Sequence, residues 1–357
     1  MIGESGTVAR TMMAVLAAAL GGVAGTAAVR MLALRLGIMN QPNPLVPQHT
    51  RPIAYLGGVG VALGVGSGLS IHALLGGATP GIEFVLPAVL YLVLGVFDDL
   101  RPLEPGRKFL LQALIAALAV GLGFVAPLCG VPLLDAVASW LWIVTLVNAF
   151  NLTDVCDGLL ASLSAVMFGA LALLDPSAAP TALVISAASL GFLVLNRPPA
   201  LVFLGDAGSH LLGFMAAALT LGAAARAAAI PAMGAGVLLM AVPLFELIFL
   251  IVVRTRAGRP WWKGSSDHFS LRLQAAGLSR EAVDLIACLA AAIGCSAGLA
   301  LPRLPGAVAV MVAGGVVMSA FGAAAVLLRV DRTPRPGGAA VVGTSDMLSV
   351  NGANQAR

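Results

Sequence analysis

Residues 133–159 read LLDAVASWLWIVTLVNAFNLTDVCDGL. From Leu133 to Phe150 the run is almost wholly apolar and close to the ~20 residues that a membrane helix needs. Its far end changes character, because Asn148, Asn151, Asp154 and Asp157 recur every third residue. If the segment is helical, neighbours at this spacing share one slowly drifting stripe. Two amides and two carboxylates at the edge of hydrocarbon are hard to explain as packing. A charge at the bilayer centre costs about 2.5–3.5 kcal/mol on insertion scales. Oxygen donors of this kind suit Mg²⁺. The segment therefore reads as a membrane helix whose end carries chemistry.

The rest of the chain repeats that pattern. Of its 357 residues 59% are apolar and 10% charged, with mean hydropathy +0.99. Ordinary globular domains carry about 25% charged residues. A soluble globular protein, a disordered chain and a secreted disulfide scaffold are excluded. The four cysteines, Cys129, Cys156, Cys288 and Cys295, form no C-x-x-C pair and read as small core residues. Arg10 precedes a long apolar run, but nothing soluble follows for a signal peptide to export, so this run reads as the first helix.

Apolar runs between Pro, Gly and charge breaks predict eleven spans, at 11–35, 53–76, 82–97, 108–127, 133–150, 158–174, 180–196, 209–225, 229–253, 282–301 and 306–329. The expected fold is an all-α polytopic membrane helix bundle in one domain, residues 1–330, followed by a polar, disordered tail at 331–357. The glycines of the second span (Gly58, Gly60, Gly64, Gly66, Gly68) read as close helix packing, since no strand–turn–helix context supports a nucleotide loop. Under this division 17 of the 20 Lys and Arg residues fall on one side. Arg10, Arg226 and Arg303 fall on the other. The positive-inside rule then puts the N-terminus outside and the C-terminus in the cytoplasm.

Most carboxylates follow the basic side. Asp98 and Asp99 end the third span, with Lys108 and Gln112 opening the fourth. Adjacent carboxylates stay ionised together only near a cation or strong donors. A solvated helix end beside a lysine is the plain alternative. Pro198 and Pro199 break the seventh span before Gly205-Asp206-Ala207-Gly208-Ser209 opens the eighth. Glycines there permit close approach of a ligand to an anion-favouring helix start. The alternative is an ordinary N-cap by Asp206. His210 follows Ser209, with lining the site and packing both open. The loop from Arg254 to Arg280 is basic and contains Asp267, His268 and Arg272; such loops also serve as topology determinants or lipid head-group contacts. Trp261 and Trp262 are expected at the membrane interface. Glu246 lies roughly 12 Å into the membrane on a regular helix and needs a partner.

Taken together, these blocks resemble the polyprenyl-phosphate N-acetylhexosamine-1-phosphate transferases. That superfamily includes the enterobacterial-antigen and teichoic-acid initiating enzymes and, more distantly, the phospho-MurNAc-pentapeptide translocase. The resemblance covers roughly residues 35–280. It rests on Gly95-x-x-Asp98-Asp99 with Lys108 and Gln112, on Asn148-x-x-Asn151-x-x-Asp154-x-x-Asp157-Gly158-Leu159, and on Phe203-x-Gly205-Asp206-x-Gly208-Ser209, in family order. The departures are Val155 in place of a glycine, Glu246 where Asp is frequent, and His268 as the one histidine left of a His-rich motif in the last loop. The first loop lacks the usual basic residue but keeps His49.

The resemblance implies transfer of an N-acetylhexosamine-1-phosphate, GlcNAc-1-phosphate first among them, from a UDP-sugar to polyprenyl phosphate in the cytoplasmic membrane. The site would face the cytoplasm. It implies Mg²⁺, or Mn²⁺ in its place, on Asp206 and Asn151. Catalytic roles are implied for Asp98, Asp99, Lys108, Asp154 and His268, and substrate contacts for His49, Asn148, Asp157, Arg272 and Ser209. The partners implied are the UDP-N-acetylhexosamine, the polyprenyl phosphate, the lipid bilayer and a second copy in a homodimer, with no nucleic acid. The competing class is a secondary transporter, or a relative without catalysis. Transporter coupling sites lie near the midplane in repeated broken helices, whereas these acids gather at one edge of a chain without repeating halves.

Overall fold

The computed structural model describes residues 2–42, 45–46 and 49–330. Residues 331–357, the expected tail, and Asn43, Pro44, Pro47 and Gln48 of the first loop lie outside the described residues.

Each of the eleven apolar segments contains helix. The chain runs through α1 (Ile2–Leu36), a minimal hairpin of β1 (Met39–Asn40) and β2 (Ile53–Ala54), α2 (Gly57–Leu74), α3 (Ile82–Leu100) and α4 (Pro105–Gly121). It continues through α5 (Pro132–Thr153), α6 (Leu159–Leu174), α7 (Ala179–Asn196), α8 (Gly205–Arg226), α9 (Ala229–Leu239) and α10 (Ala241–Arg256). The short α11 (Phe269–Ala275), α12 (Arg280–Ala300) and α13 (Gly306–Leu328) complete it. Seven helices are by themselves long and apolar enough to cross a membrane, and α9 with α10 makes an eighth if counted as one span. The protein is an all-α, multi-pass membrane protein.

Two expected spans differ in form. The ninth is broken, with α9 and α10 meeting at 72°. Pro243 stands four residues after Leu239, where its ring would clash with that carbonyl in a continuous helix, so the helix stops at Met240. The second starts later than expected, because Ile53 and Ala54 pair with Asn40 and Met39. Ala54 also bridges Val202, which ties the first loop to the segment before α8.

The innermost element is α8, with 94% of its span window buried against 6% for α13. Small residues allow this. A Cβ on Gly58 would lie 2.1 Å from the Gly208 nitrogen, and one on Gly95 would lie 2.3 Å from the Ala207 nitrogen. α2 and α3 thus touch the backbone of α8 at its first turn. Gly60, Gly64 and Gly68 similarly abut α1 or α7, as expected for packing glycines, while Gly66 faces open space.

Candidate active site

The site is built around the first turn of α8. Gly205 adopts φ +75°, and a Cβ there would fall 2.5 Å from the Asp99 carboxylate, so glycine is required on both counts. Two of the free N–H groups of this turn are satisfied by another helix. Asp99, at the end of α3, accepts from the Asp206 N–H at 2.8 Å and the Ala207 N–H at 3.1 Å. The simple N-cap by Asp206 is therefore not what forms. Asp99 takes the capping role across 107 residues of sequence, and the Asp206 carboxylate is left to project sideways.

That carboxylate is held from two sides. Lys108, on α4, contacts its Oδ2 and also lies 2.9 Å from Asp98 Oδ2. Asn151, near the end of α5, donates to its Oδ1 at 2.5 Å and to Ser209 Oγ at 3.1 Å. Asp98 Oδ1 accepts from the Leu103 N–H at 2.6 Å. Asp98, Asp99, Lys108, Asn151, Asp206 and Ser209 thus form one contiguous cluster drawn from four helices.

The three-residue stripe does not run its full length. α5 ends at Thr153, Asp154 is its C-cap, and Gly158 turns the chain with φ +79° into α6. Asn148 and Asn151 stay on the helix, whereas Asp154 and Asp157 lie in the turn. Burial, then the Asp206 and Asp99 carboxylates, push Asp154 well above the usual carboxylate range. Asp157 pairs with Arg280, at the start of α12, and accepts from the Ala200 N–H at 3.0 Å. Asn148 sits one turn deeper, donating to Gln112 Oε1 at 3.1 Å.

Two cavities meet at Asp206. The first, about 350 Å³, is lined by Met39, Asn40, Gln41, Tyr55, Asp98, Asp99, Pro102 and Asp206. The second, about 240 Å³, is lined by residues that include Asn40, His49, Tyr55, Asp154, Asp157, Asp206 and Arg280. His49 packs edge-on against Phe203, with ring centroids 5.0 Å apart. Its Nε2 is buried without a hydrogen-bond partner among the described residues. Tyr55 and Arg280 are among the lining residues that sequence reasoning missed. Tyr55 is one of only 2 tyrosines, a weak signal by itself, and no local pattern pairs Arg280 with Asp157. Burial, then Asp99, Asp206 and Asp154, keep the Tyr55 hydroxyl protonated well above its usual range.

His268 and Arg272 are not brought to either cavity. His268 Nδ1 lies 2.6 Å from Glu246 Oε1, and Glu246 Oε2 accepts from the Phe269 N–H at 3.2 Å. Glu246 thereby has the partner its depth demands. Arg272 binds Asp267 Oδ1 at 3.0 Å and the Leu327 carbonyl at 3.0 Å, and lies over the Phe249 ring. Both side chains thus have internal partners, because α11 packs this segment against α10 and α13.

Among the described residues no three His, Cys, Asp or Glu side chains converge as a closed metal cage. The donor set nevertheless fits Mg²⁺. Asp98 and Asp206 converge on a single positive head group, and the Asn151 amide adjoins Asp206. Asp99, Asp154 and Asp206 lie close enough for their carboxylates to repel one another, a repulsion that a bound cation would relieve. Mg²⁺ is characteristically held by one or two carboxylates together with substrate phosphates, which is what an open cluster of this kind offers.

The family described as Glycosyl transferase family 4 matches residues 82–224, from the start of α3 nearly to the end of α8. The chain is 30% identical over 275 residues to a probable undecaprenyl-phosphate N-acetylglucosaminyl 1-phosphate transferase of Bacillus subtilis, covering 73% of this chain and 76% of that one. It is 32% identical over 304 residues to the decaprenyl-phosphate N-acetylglucosaminephosphotransferase of Mycobacterium tuberculosis, covering 73% and 75%. A phospho-N-acetylmuramoyl-pentapeptide-transferase of Deinococcus radiodurans is 39% identical over 133 residues, 34% of this chain and 41% of that one. With the acidic blocks assembled around one helix start, and the Bacillus and Mycobacterium relatives aligned across most of its length, the chain belongs to glycosyl transferase family 4, among the polyprenyl-phosphate N-acetylhexosamine-1-phosphate transferases.

Proposed function

We propose that the protein transfers N-acetylglucosamine-1-phosphate from UDP-N-acetylglucosamine to polyprenyl phosphate, as the first step of a cell-envelope glycan. An acceptor phosphate oxygen attacks the sugar-bearing β-phosphorus. The bond from that phosphorus to the bridging oxygen breaks, and UMP leaves. The products are polyprenyl-pyrophosphoryl-N-acetylglucosamine and UMP.

The observation that carries this reading is the junction of two cavities at Asp206. The acceptor phosphate lies in the cavity of Asp98 and Asp99, two of whose walls, Asp98 and Asp206, are paired with the Lys108 head group. The nucleotide lies in the cavity of His49, Asp154, Asp157 and Arg280. Their phosphates meet at the shared wall. A phosphate's second pKa is about 6, so the acceptor is already largely ionised near pH 7 and needs orientation more than a strong base. Asp98 and Lys108 supply that orientation, while Asp99 fixes the backbone that carries Asp206. Asp206, with Asn151 beside it, would hold Mg²⁺ or Mn²⁺, which supplies the charge neutralisation that lets two phosphates approach. The asymmetry of the basic residues supports eleven crossings, with the site on the cytoplasmic face of the cytoplasmic membrane. There a cytosolic nucleotide sugar meets a membrane lipid.

The test uses purified full-length protein in detergent with Mg²⁺ and polyprenyl phosphate. UDP-GlcNAc, UDP-GalNAc and related donors are offered separately, and lipid-dependent UMP release is measured. UMP release with UDP-GlcNAc, abolished by EDTA, is expected. Release with a different donor overturns the sugar assignment, release in EDTA overturns the metal, and release with none overturns the reaction.

A further inference from the structure

One helical turn below the Lys108–Asp206–Asn151 contacts lies a second polar layer on the same three helices. Gln112 follows Lys108 by four residues on α4, and His210 follows Asp206 by four on α8. Asn148 precedes Asn151 by three on α5. These spacings keep each pair on one helix face. Gln112 is 1% exposed and His210 0%. None of the three lines either cavity.

The hydrogen bonds of this layer have one consistent direction. Asn148 Nδ2 lies 2.8 Å from the Val144 carbonyl, which can only accept. The Asn148 amide group is therefore the donor, and it meets Gln112 Oε1 at 3.1 Å. Gln112 then turns its own NH₂ to His210, with Nε2 to Nε2 at 3.0 Å. His210 Nε2 must be a bare acceptor, and the ring proton sits on Nδ1. Tyr91 closes the layer from α3. Its hydroxyl donates to the Gln112 backbone carbonyl at 2.8 Å, and its ring meets that of His210 edge-on. His210 Nδ1 is buried without a partner among the described residues. A leucine would avoid that cost, but would lose the bond to Gln112 and leave its amide unpaired.

We propose that Gln112, His210 and Asn148 form a polar spacer that fixes the separation and rotation of α4, α5 and α8, and thereby the geometry of Lys108, Asn151 and Asp206. His210 is a positioning residue, held as the neutral Nδ1–H tautomer. Apolar packing alone fills such a space without setting direction, whereas a hydrogen-bonded chain admits one arrangement.

The activity arm rests on the transferase reading, and the spectroscopic arm does not. In the first, His210→Leu and His210→Gln are compared with wild type for UMP release by the folded, purified protein. Gln places an amide oxygen near the former Nε2 and keeps an acceptor there; Leu keeps none. His210→Leu is expected to lower kcat about tenfold, since small misplacements of reacting groups are costly, with KM for both substrates nearly unchanged. His210→Gln is expected to recover most of that loss. If the folded His210→Leu protein keeps wild-type kcat and loses only thermal stability, the layer is structural filler and the proposal is overturned. In the second arm, wild-type protein labelled with ¹⁵N-histidine is measured by NMR in nanodiscs. Its 4 histidines allow His210 to be assigned by its loss in His210→Gln. A protonated Nδ1 and bare Nε2 are expected at neutral pH. A protonated Nε2 overturns the proposal, even if His210→Leu fails to fold. Wild type inactive with every donor but showing the expected tautomer would sink the transferase reading and leave the hydrogen-bond assignment standing.

Discussion

Two densely charged clusters occupy the same end of the bundle, and they are organised in opposite ways. Around Asp206, Lys108 shares two carboxylates, Asp206 opens onto both cavities, and the side chains of Lys108 and Asp206 are 18% and 23% exposed. Around Asp267, by contrast, Arg259 and Arg272 bind separate oxygens of one carboxylate, and His268 closes on Glu246. There Asp267 and Glu246 are fully buried and Arg272 is 3% exposed. The first cluster has more carboxylates than cations and opens onto space that a ligand can fill. The second satisfies itself and holds α10, α11 and α13 together. Density of charge at a membrane edge therefore does not distinguish a reacting site from a clamp. The sharing of partners and the access to a cavity do.

The sharpest way to break this distinction is Asp206→Ala. Turnover should fall by at least about 10²-fold, the scale of losing a central electrostatic group, while folded protein remains in the membrane. Lipid-dependent UMP release beside a thermal unfolding scan reads both; near-normal activity would remove Asp206 from the site. Lys108→Met should also cost activity, by about 10²-fold, because it strips the cation from Asp98 and Asp206 together. Steady-state kinetics with each substrate varied in turn would expose a smaller role.

The second cluster should respond in stability instead. Asp267→Ala leaves Arg272 buried without its carboxylate, which costs about 3–5 kcal/mol when a buried pair is broken. A large fall in thermal midpoint in detergent is expected, with kcat of the surviving folded protein changed far less than in Asp206→Ala. Equal loss of kcat would make the clamp part of the reacting site. Ser209→Ala gives the smallest effect. It removes one hydrogen bond to Asn151, worth about 0.5–1.5 kcal/mol, so activity should drop by less than about tenfold. A larger loss would show that Ser209 touches substrate.

Much of this architecture is legible locally. Hydropathy marks every helix but the short α11, since a bilayer demands long apolar runs whatever their neighbours. Pro198 and Pro199 mark the break before α8, which begins at Gly205. Asp98, Asp99, Asn151 and Asp206 stand out because carboxylates and amides at the edge of hydrocarbon need partners. Pro243 held a further local signal, the break between α9 and α10, that apolar content alone concealed. The stripe from Asn148 to Asp157 misled for a related reason, because its spacing carries meaning only while the helix continues, and α5 stops at Thr153.

The sequence by itself determined the membrane class, the helices and the acidic blocks, because hydropathy, proline geometry and the cost of unpaired charge act within a few residues. The tertiary structure alone decided that Asp99 caps α8, that Arg280 pairs with Asp157, that Tyr55 walls both cavities, and that His268 and Arg272 turn inward. Each of those roles depends on which distant backbone or side chain comes within hydrogen-bond reach. That is fixed by how closely the glycine-lined helices pack around α8, not by the residues on either side in the chain.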